Sequence, residues 1–158
     1  MQLPRDPLAV RTGDINRATG DVGADDAVYA GGVFSSIGGQ TRSSIAKLAG
    51  SGVGAADTTW DAAANGTVTA LAVDASGSVY AGGEFTIIGG LGRSFIAKLA
   101  GNSTGAANAT WNASADASVA ALAVAASGFV YAGGAFAQLG GGPRGCLWHI
   151  SGGGAGAA

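Results

Sequence analysis

Short apolar runs separated by glycine-rich turns dominate the chain. The clearest run, 67–73, is rich in small and β-branched residues and ends at the turn residues Asp74 to Gly77. The apolar run SVYAGGEF follows at once, which predicts a β-hairpin. A loop at Gly89-Gly90 leads to a third predicted strand, RSFIAKLAG over 93–101, and a short fourth strand is expected around Thr110 to Asn112.

The same pattern recurs about every 51 residues. The segments VYAGGVFSSIGGQTRSSIAKLAG, VYAGGEFTIIGGLGRSFIAKLAG and VYAGGAFAQLGGGPRGCLWHISG begin at Val28, Val79 and Val130 and align without a gap. Four antiparallel strands in a repeat of this length are typical of a β-propeller blade. The sequence therefore predicts an all-β fold of tandem four-stranded blades, about three repeats of 51 residues, with the ring incomplete.

The predicted organisation follows from this alignment. Residues 1–27 form an irregular segment or degenerate partial repeat, in which 8–10 resemble a first strand at an unsuitable distance. Repeat 1 covers 28–66, repeat 2 covers 67–117 and repeat 3 covers 118–158, truncated before its last strand. Three blades fall short of the four to eight of a closed propeller. We therefore expect a piece of a longer array, or self-association.

Recurrent glycines and phenylalanines have a structural interpretation in this scheme. Glycine pairs such as Gly31-Gly32 permit a bend or a close approach of the backbone. The phenylalanines supply large apolar bodies between stacked sheets. They are Phe34, Phe85 and Phe136.

Composition narrows the function classes. Thirty glycines and only 11% charged residues favour short strands and tight turns over amphipathic helices. The net charge is −2 and the basic residues are scattered, which argues against a nucleic-acid partner. The chain has neither a signal-peptide pattern nor an apolar run long enough for a membrane span.

No catalytic or cofactor-binding constellation is predicted. The only histidine, His149, takes the place of the periodic lysines Lys47 and Lys98, which an exposed strand position explains. The only cysteine, Cys146, is expected to be a small core filler, and it excludes an intrachain disulfide. The aspartates fall in turns, and neither a calcium-binding pattern nor a phosphate loop is present, so the sequence supports neither a metal nor a cofactor.

Two recurrent residue types are the candidate ligand-binding positions. The arginines Arg42, Arg93 and Arg144 would tie loop carbonyls or bridge blades, and the alternative is a ring that holds an anionic ligand. Trp60 and Trp111 would pack within the blades, and the alternative is a repeated platform for sugars. Exposure of the tryptophan rings distinguishes these alternatives.

The repeat resembles the delta-60 repeat, an uncharacterised β-propeller family of bacterial proteins. The resemblance rests on VYAGGxFxxIGGxxRxxIAKL, here Tyr80 to Leu99, on the aromatic Trp60, and on NGTVTALAV from Asn65 to Val73. It covers about residues 28 to 158 and is weaker in the first and third repeats. It implies a secreted or cell-surface repeat protein without a defined catalytic site.

Residues and resemblance together predict a non-enzymatic module. The expected function is a structural or macromolecule-binding scaffold, with an unknown macromolecule or glycan as partner. Further blades of a parent chain, or other copies of this chain, are the second kind of partner. The alternative function is a carbohydrate-binding propeller that uses Trp60 and Trp111.

Overall fold

The structure is a computed structural model that describes residues 19–23, 26–143 and 146–154. This part of the chain is all-β and contains no helix, which confirms the predicted fold class at that level. Its strands are short and end at glycine-rich turns. In chain order they are β1 Thr19–Val22, β2 Val28–Gly31, β3 Ser36–Ile37, β4 Gln40–Thr41, β5 Ile45–Leu48, β6 Val68–Val73, β7 Ser78–Gly83, β8 Ile87–Ile88, β9 Leu91–Gly92, β10 Ile96–Ala100, β11 Val119–Val124, β12 Phe129–Gly134, β13 Gln138–Leu139, β14 Gly142–Pro143 and β15 Leu147–Ser151.

Nine of these strands form three antiparallel sheets with the same internal order. The first sheet is β1-β2-β5, the second is β6-β7-β10 and the third is β11-β12-β15. In the second sheet Val73 pairs with Val79, and the turn Asp74 to Gly77 joins them, as predicted for this hairpin. The predicted third strand is also present, as β10, which pairs with β7.

The remaining strands form three two-stranded hairpins, β3-β4, β8-β9 and β13-β14. In β8-β9 the pair Ile88 and Leu91 flanks Gly89-Gly90, and both glycines have positive φ. A two-residue turn of this kind favours glycine because other residues are strained there. The sequence predicted only a loop at this place.

The prediction of a fourth strand around Thr110 to Asn112 is wrong, because no strand lies in the described residues between β10 and β11. Near it the chain makes only isolated bridges, from Ala107 to Leu99 and from Ala115 to Leu139. The Asn108 carboxamide oxygen accepts hydrogen bonds from the backbone N–H groups of Thr110 and Trp111. Side-chain capping of this kind competes with a strand ladder.

The leading strand of the first sheet lies within the segment predicted to be irregular. In β1, Val22 pairs with Val28, as Val73 pairs with Val79 in the second sheet. The strand therefore begins before the boundary that the sequence alignment assigned to repeat 1. Residues 8–10, which resemble a first strand in the sequence, lie outside the described residues.

Leading strands lie side by side and bring the three sheets together. The second sheet's β6 contacts both β1 and β11, and the Thr69 hydroxyl donates to the Val119 carbonyl at 2.8 Å. Gly82 permits this approach, because a Cβ there would meet Val119 Cγ1 at 2.7 Å. Phe85 and Phe136 are buried in the clusters between neighbouring sheets, as predicted.

Candidate functional site

Both recurrent tryptophans are in the core. Trp60 is 0% exposed and Trp111 is 1% exposed. Each ring nitrogen donates to a carbonyl of the next sheet, Trp60 to Ala100 at 2.9 Å and Trp111 to Ser151 at 2.8 Å. Neither ring has an accessible face, so the interpretation of these residues as a sugar platform is corrected to one of packing.

The recurrent arginines are also buried, and they bind backbone carbonyls. Arg42 donates to the carbonyls of Trp60 at 3.1 Å and Asp57 at 2.6 Å. Arg93 donates to the Asn108 carbonyl at 2.6 Å. The expectation that these side chains tie loop carbonyls is confirmed for these two, and burial leaves them unsuited to an anion ring. Arg144 lies outside the described residues.

A tyrosine–lysine pair recurs at the contact between successive sheets. The Tyr29 hydroxyl and the Lys47 ammonium donate to the Gly101 carbonyl at 3.0 and 3.1 Å. The ammonium also lies 5.6 Å from the centre of the Tyr29 ring, a cation–π distance. The aligned segments that begin at Val28 and Val79 contain both residues, but their spacing did not indicate this contact between sheets.

The second sheet repeats this arrangement. Tyr80 and Lys98 donate to the Gly152 carbonyl at 3.1 and 2.6 Å. The Tyr80 hydroxyl also lies 3.2 Å from an Asp74 carboxylate oxygen. Burial and that neighbouring negative charge raise the pKa of Tyr80 far above its ordinary value, so it remains a neutral donor.

His149 and Cys146 do not form a catalytic pair. His149 is exposed on β15 and its ring stacks on Trp148 at 5.3 Å between centroids. Cys146 is also exposed, so its predicted role as a core filler is wrong. Within 19–23, 26–143 and 146–154, no group of three or more His, Cys, Asp or Glu side chains could hold a metal ion.

The best candidate for a binding surface is the rim formed by the hairpin turns of the sheets, which we call the turn rim. It comprises residues 23 and 74–77 and 125–128. A groove of about 440 Å³ separates the first and second sheets there. It is lined by the polar residues Lys47, Ser76 and Asn102 and by Gly23, Tyr29, Ala75 and Gly77.

A second groove, of about 270 Å³, lies on the turn rim between the second and third sheets. It is lined by small and apolar residues beside the Asp74 carboxylate. They are Val73, Ala75, Ser76, Val124, Ala125, Ala126 and Gly128. Ala75 and Ser76 line both grooves, so one turn separates two adjacent concave surfaces.

Hydrogen bonds fix the shape of this turn. The Asp74 carboxylate accepts from the backbone N–H groups of Ser76 and Ser78, both at 2.9 Å. Burial raises the pKa of the Asp74 carboxyl, but the hydrogen bonds from Ser76, Ser78 and Tyr80 outweigh it and leave the pKa below 3.8. The turn rim therefore carries a fixed negative charge at neutral pH.

Two further aspartates make folding sensitive to acid. The Asp57 pKa is lowered from 3.8, first by hydrogen bonds from Thr59. The Asp116 pKa is lowered by hydrogen bonds from the backbone of Gln138 and Ala137. Because folding lowers these pKa values, both carboxylates contribute stability that is complete above about pH 3.8 and is lost as the pH falls through the lower folded values.

We expect the double variant Asp57→Asn, Asp116→Asn to lose less stability on acidification than the original chain. Asparagine is a matched replacement, because Asn108 and Asn65 occupy the equivalent positions 51 residues away and accept the same backbone hydrogen bonds. Urea unfolding at a series of pH values between about pH 6 and pH 2 measures how much unfolding free energy each protein loses. Equal losses of unfolding free energy in both proteins would contradict it.

Comparison with known proteins gives no match: no family model, no curated protein and no solved structure matches the chain. Within the described part of the chain, no helix is long and apolar enough to cross a membrane. The function of the chain is therefore inferred from its own contacts.

Proposed function

We propose that the chain is a non-catalytic β-propeller repeat module that acts as a structural or macromolecule-binding scaffold, as part of a larger secreted or cell-surface protein. The observation that carries the proposal is the role of the recurrent polar side chains. Tyr29 and Lys47 donate to Gly101, directly after β10 of the next sheet, and Trp60 donates to the last residue of β10. The 51-residue spacing thus preserves the contact between sheets, and this is what a stacked scaffold requires.

The arrangement of the sheets supports propeller blades. The leading strands β1, β6 and β11 lie next to one another, as inner strands do around a propeller axis. Each sheet buries apolar side chains against its neighbour. The resemblance to the delta-60 repeat favours the same architecture and a location outside the cell.

The turn rim supports the binding role. Its two grooves share Ala75 and Ser76, and they are lined by small side chains together with polar residues. A row of such grooves suits an extended partner more than a small enclosed substrate. We propose that an extracellular macromolecule, either a polypeptide or a polysaccharide, lies along this rim.

Blocking the rim tests the proposal. Ala75 is exposed and lines both grooves, so Ala75→Trp should abolish binding of the full chain to members of an array of immobilised polysaccharides and peptides. Leu91→Trp is the matched control, because Leu91 is exposed on β9 and lines neither groove. Circular dichroism verifies that both variants fold.

Two results would contradict the proposed function. One is array binding that Ala75→Trp leaves unchanged. The other is turnover of ester, phosphate or glycoside reporter substrates that His149→Ala removes. His149 is the natural position to test, because its exposed imidazole is the only one in the chain.

A further inference from the structure

Each contact between successive sheets joins two different surfaces. One, which we call the donor face, carries the tyrosine, an apolar residue that opens the third strand, and the tryptophan that follows. In the first sheet these are Tyr29, Ile45 and Trp60. The other, the receiver face, carries three apolar side chains of the next sheet, and here they are Val79, Phe85 and Leu99. Donor and receiver residues form one core cluster.

The second contact has the same composition. The donor residues Tyr80, Ile96 and Trp111 share a core cluster with receiver residues of the third sheet. Those receiver residues are Val130, Phe136 and Ile150, and all of them are buried. The contact therefore has a fixed polarity: the donor face of one sheet always meets the receiver face of the following sheet.

The third sheet has two of the three donor residues, Tyr131 and Leu147, and no described residue covers them; the 158-residue chain has no position equivalent to Trp111. Tyr131 is 43% exposed and Leu147 is 70% exposed. The equivalent Tyr80 and Ile96 are 1% and 0% exposed. Phe129 is exposed as well, and the third sheet therefore presents an aromatic and aliphatic surface to solvent.

The first sheet has the complementary receiver face without a donor. Phe34 and Leu48 belong to a smaller cluster in which the described residues include neither a tyrosine nor a tryptophan. Val28 is only half-buried, although Val79 and Val130 are fully buried. The residue that would accept the tyrosine hydrogen bond is also uncovered. Gly50 is exposed, whereas the equivalent Gly101 and Gly152 are buried and their carbonyls accept from Tyr29 and Tyr80.

We propose that a second copy of this chain covers the open donor face. The third sheet of one copy packs on the first sheet of the next, and the Tyr131 hydroxyl donates to the Gly50 carbonyl of the second copy. The inference rests on the proposed scaffold function and concerns the 158-residue chain, in which the tyrosine and the aliphatic residue of the third sheet continue the contact that the chain already forms between its own sheets. Such a contact is head-to-tail, so copies assemble into a ring where the rotation closes and a filament where it does not.

The polar side chains at the two open ends favour the same occupant. Lys47 of the first sheet and Gly77 of the second line one groove. On the open face of the third sheet, His149 occupies the position of Lys47. On the open face of the first sheet, Asp26 occupies the position of Gly77. Both residues are exposed. In the assembled pair an imidazole N–H of one copy therefore faces the carboxylate of the next, as a hydrogen-bond donor facing an acceptor.

Mass measurement tests the assembly. Light scattering of the full chain over a range of concentrations should show a mass that rises from 15.0 kDa to multiples of it. Leu147→Asp places a charge on the exposed donor face and should keep the chain at 15.0 kDa. The control is Ile87→Asp, because Ile87 is 50% exposed on β8 and belongs to neither face, and this variant should still associate.

Mixing two defective variants tests the polarity. Val28→Lys blocks the receiver face and leaves the donor face intact, whereas Leu147→Asp does the reverse. Each variant alone should remain monomeric, and an equimolar mixture should form a dimer through its one intact pair of faces. Circular dichroism verifies that both retain their β-sheet signal.

Three outcomes would overturn the inference: a mass of 15.0 kDa at every concentration, association of Leu147→Asp equal to that of the original chain, or a mixture of folded variants that stays monomeric. None of them affects the array binding or the reporter turnover that test the scaffold function. A failure of the assembly and a failure of the proposed function are therefore distinguishable.

Discussion

Trp60→Ala should lower the free energy of unfolding by about 3–5 kcal/mol, the range for truncating a buried aromatic side chain. The ring is 0% exposed and fills the contact between the first and second sheets. It meets Tyr29 edge to face, with 5.4 Å between centroids, and its nitrogen donates to Ala100 across the same contact. Alanine leaves a cavity and an unsatisfied carbonyl. Urea denaturation followed by circular dichroism measures the loss.

Val33→Ala is the control for this experiment. Val33 is 49% exposed, so removing its two methyl groups should change the free energy of unfolding by no more than about 0.5 kcal/mol. A Trp60→Ala variant as stable as Val33→Ala would show that the indole does not lie between the sheets. The packing role assigned to the recurrent tryptophans would then be wrong.

The second sheet could be predicted from the sequence almost completely. Its leading strand is rich in small and β-branched residues, and Asp74 to Gly77 has the residues of a tight turn. The segment that begins at Val79 then recurs at a constant spacing from Val28 and Val130, which is strong support for a structural unit. The first sheet was harder, because β1 consists of Thr19–Val22, and this strand lacks the apolar pattern of β6 and β11.

The fourth strand could not be judged from local propensity. Threonine and tryptophan at 110–111 favour a strand, but the chain there follows a turn set by Asn108. Arg93 then binds the carbonyl of that same asparagine. Such tertiary contacts override propensity, and a single sequence does not reveal them.

The candidate site was the least predictable part, because recurrence within a chain does not distinguish packing from binding. The tryptophans and arginines are large, polar at one end and evenly spaced, as a row of ligand contacts would be. In the structure their polar ends reach backbone carbonyls instead. The turn rim gave no strong signal, because its alanines, serines and glycines also occur in ordinary turns.

Gly89→Ala should be the most damaging of the glycine substitutions on the β8-β9 hairpin. Gly89 has a φ of +59°, which costs an L-residue roughly 1–2 kcal/mol. A Cβ there would also overlap the backbone nitrogen of Ala107 and lie 2.9 Å from the Gly105 carbonyl oxygen. Both belong to the loop that packs against the hairpin, so the backbone must move, at a further cost of about 1–3 kcal/mol. We expect a total loss of about 3 kcal/mol or more.

Two neighbouring glycines separate the two contributions. Gly90 has a φ of +79° and open space around a Cβ, so Gly90→Ala should show the conformational cost alone. Gly92 has open space and lies outside the left-handed region, so Gly92→Ala should be nearly neutral. Urea unfolding of the three variants should therefore rank Gly92→Ala, Gly90→Ala and Gly89→Ala in order of increasing loss. Equal losses for Gly89→Ala and Gly90→Ala would mean that the hairpin does not pack on the loop at Ala107.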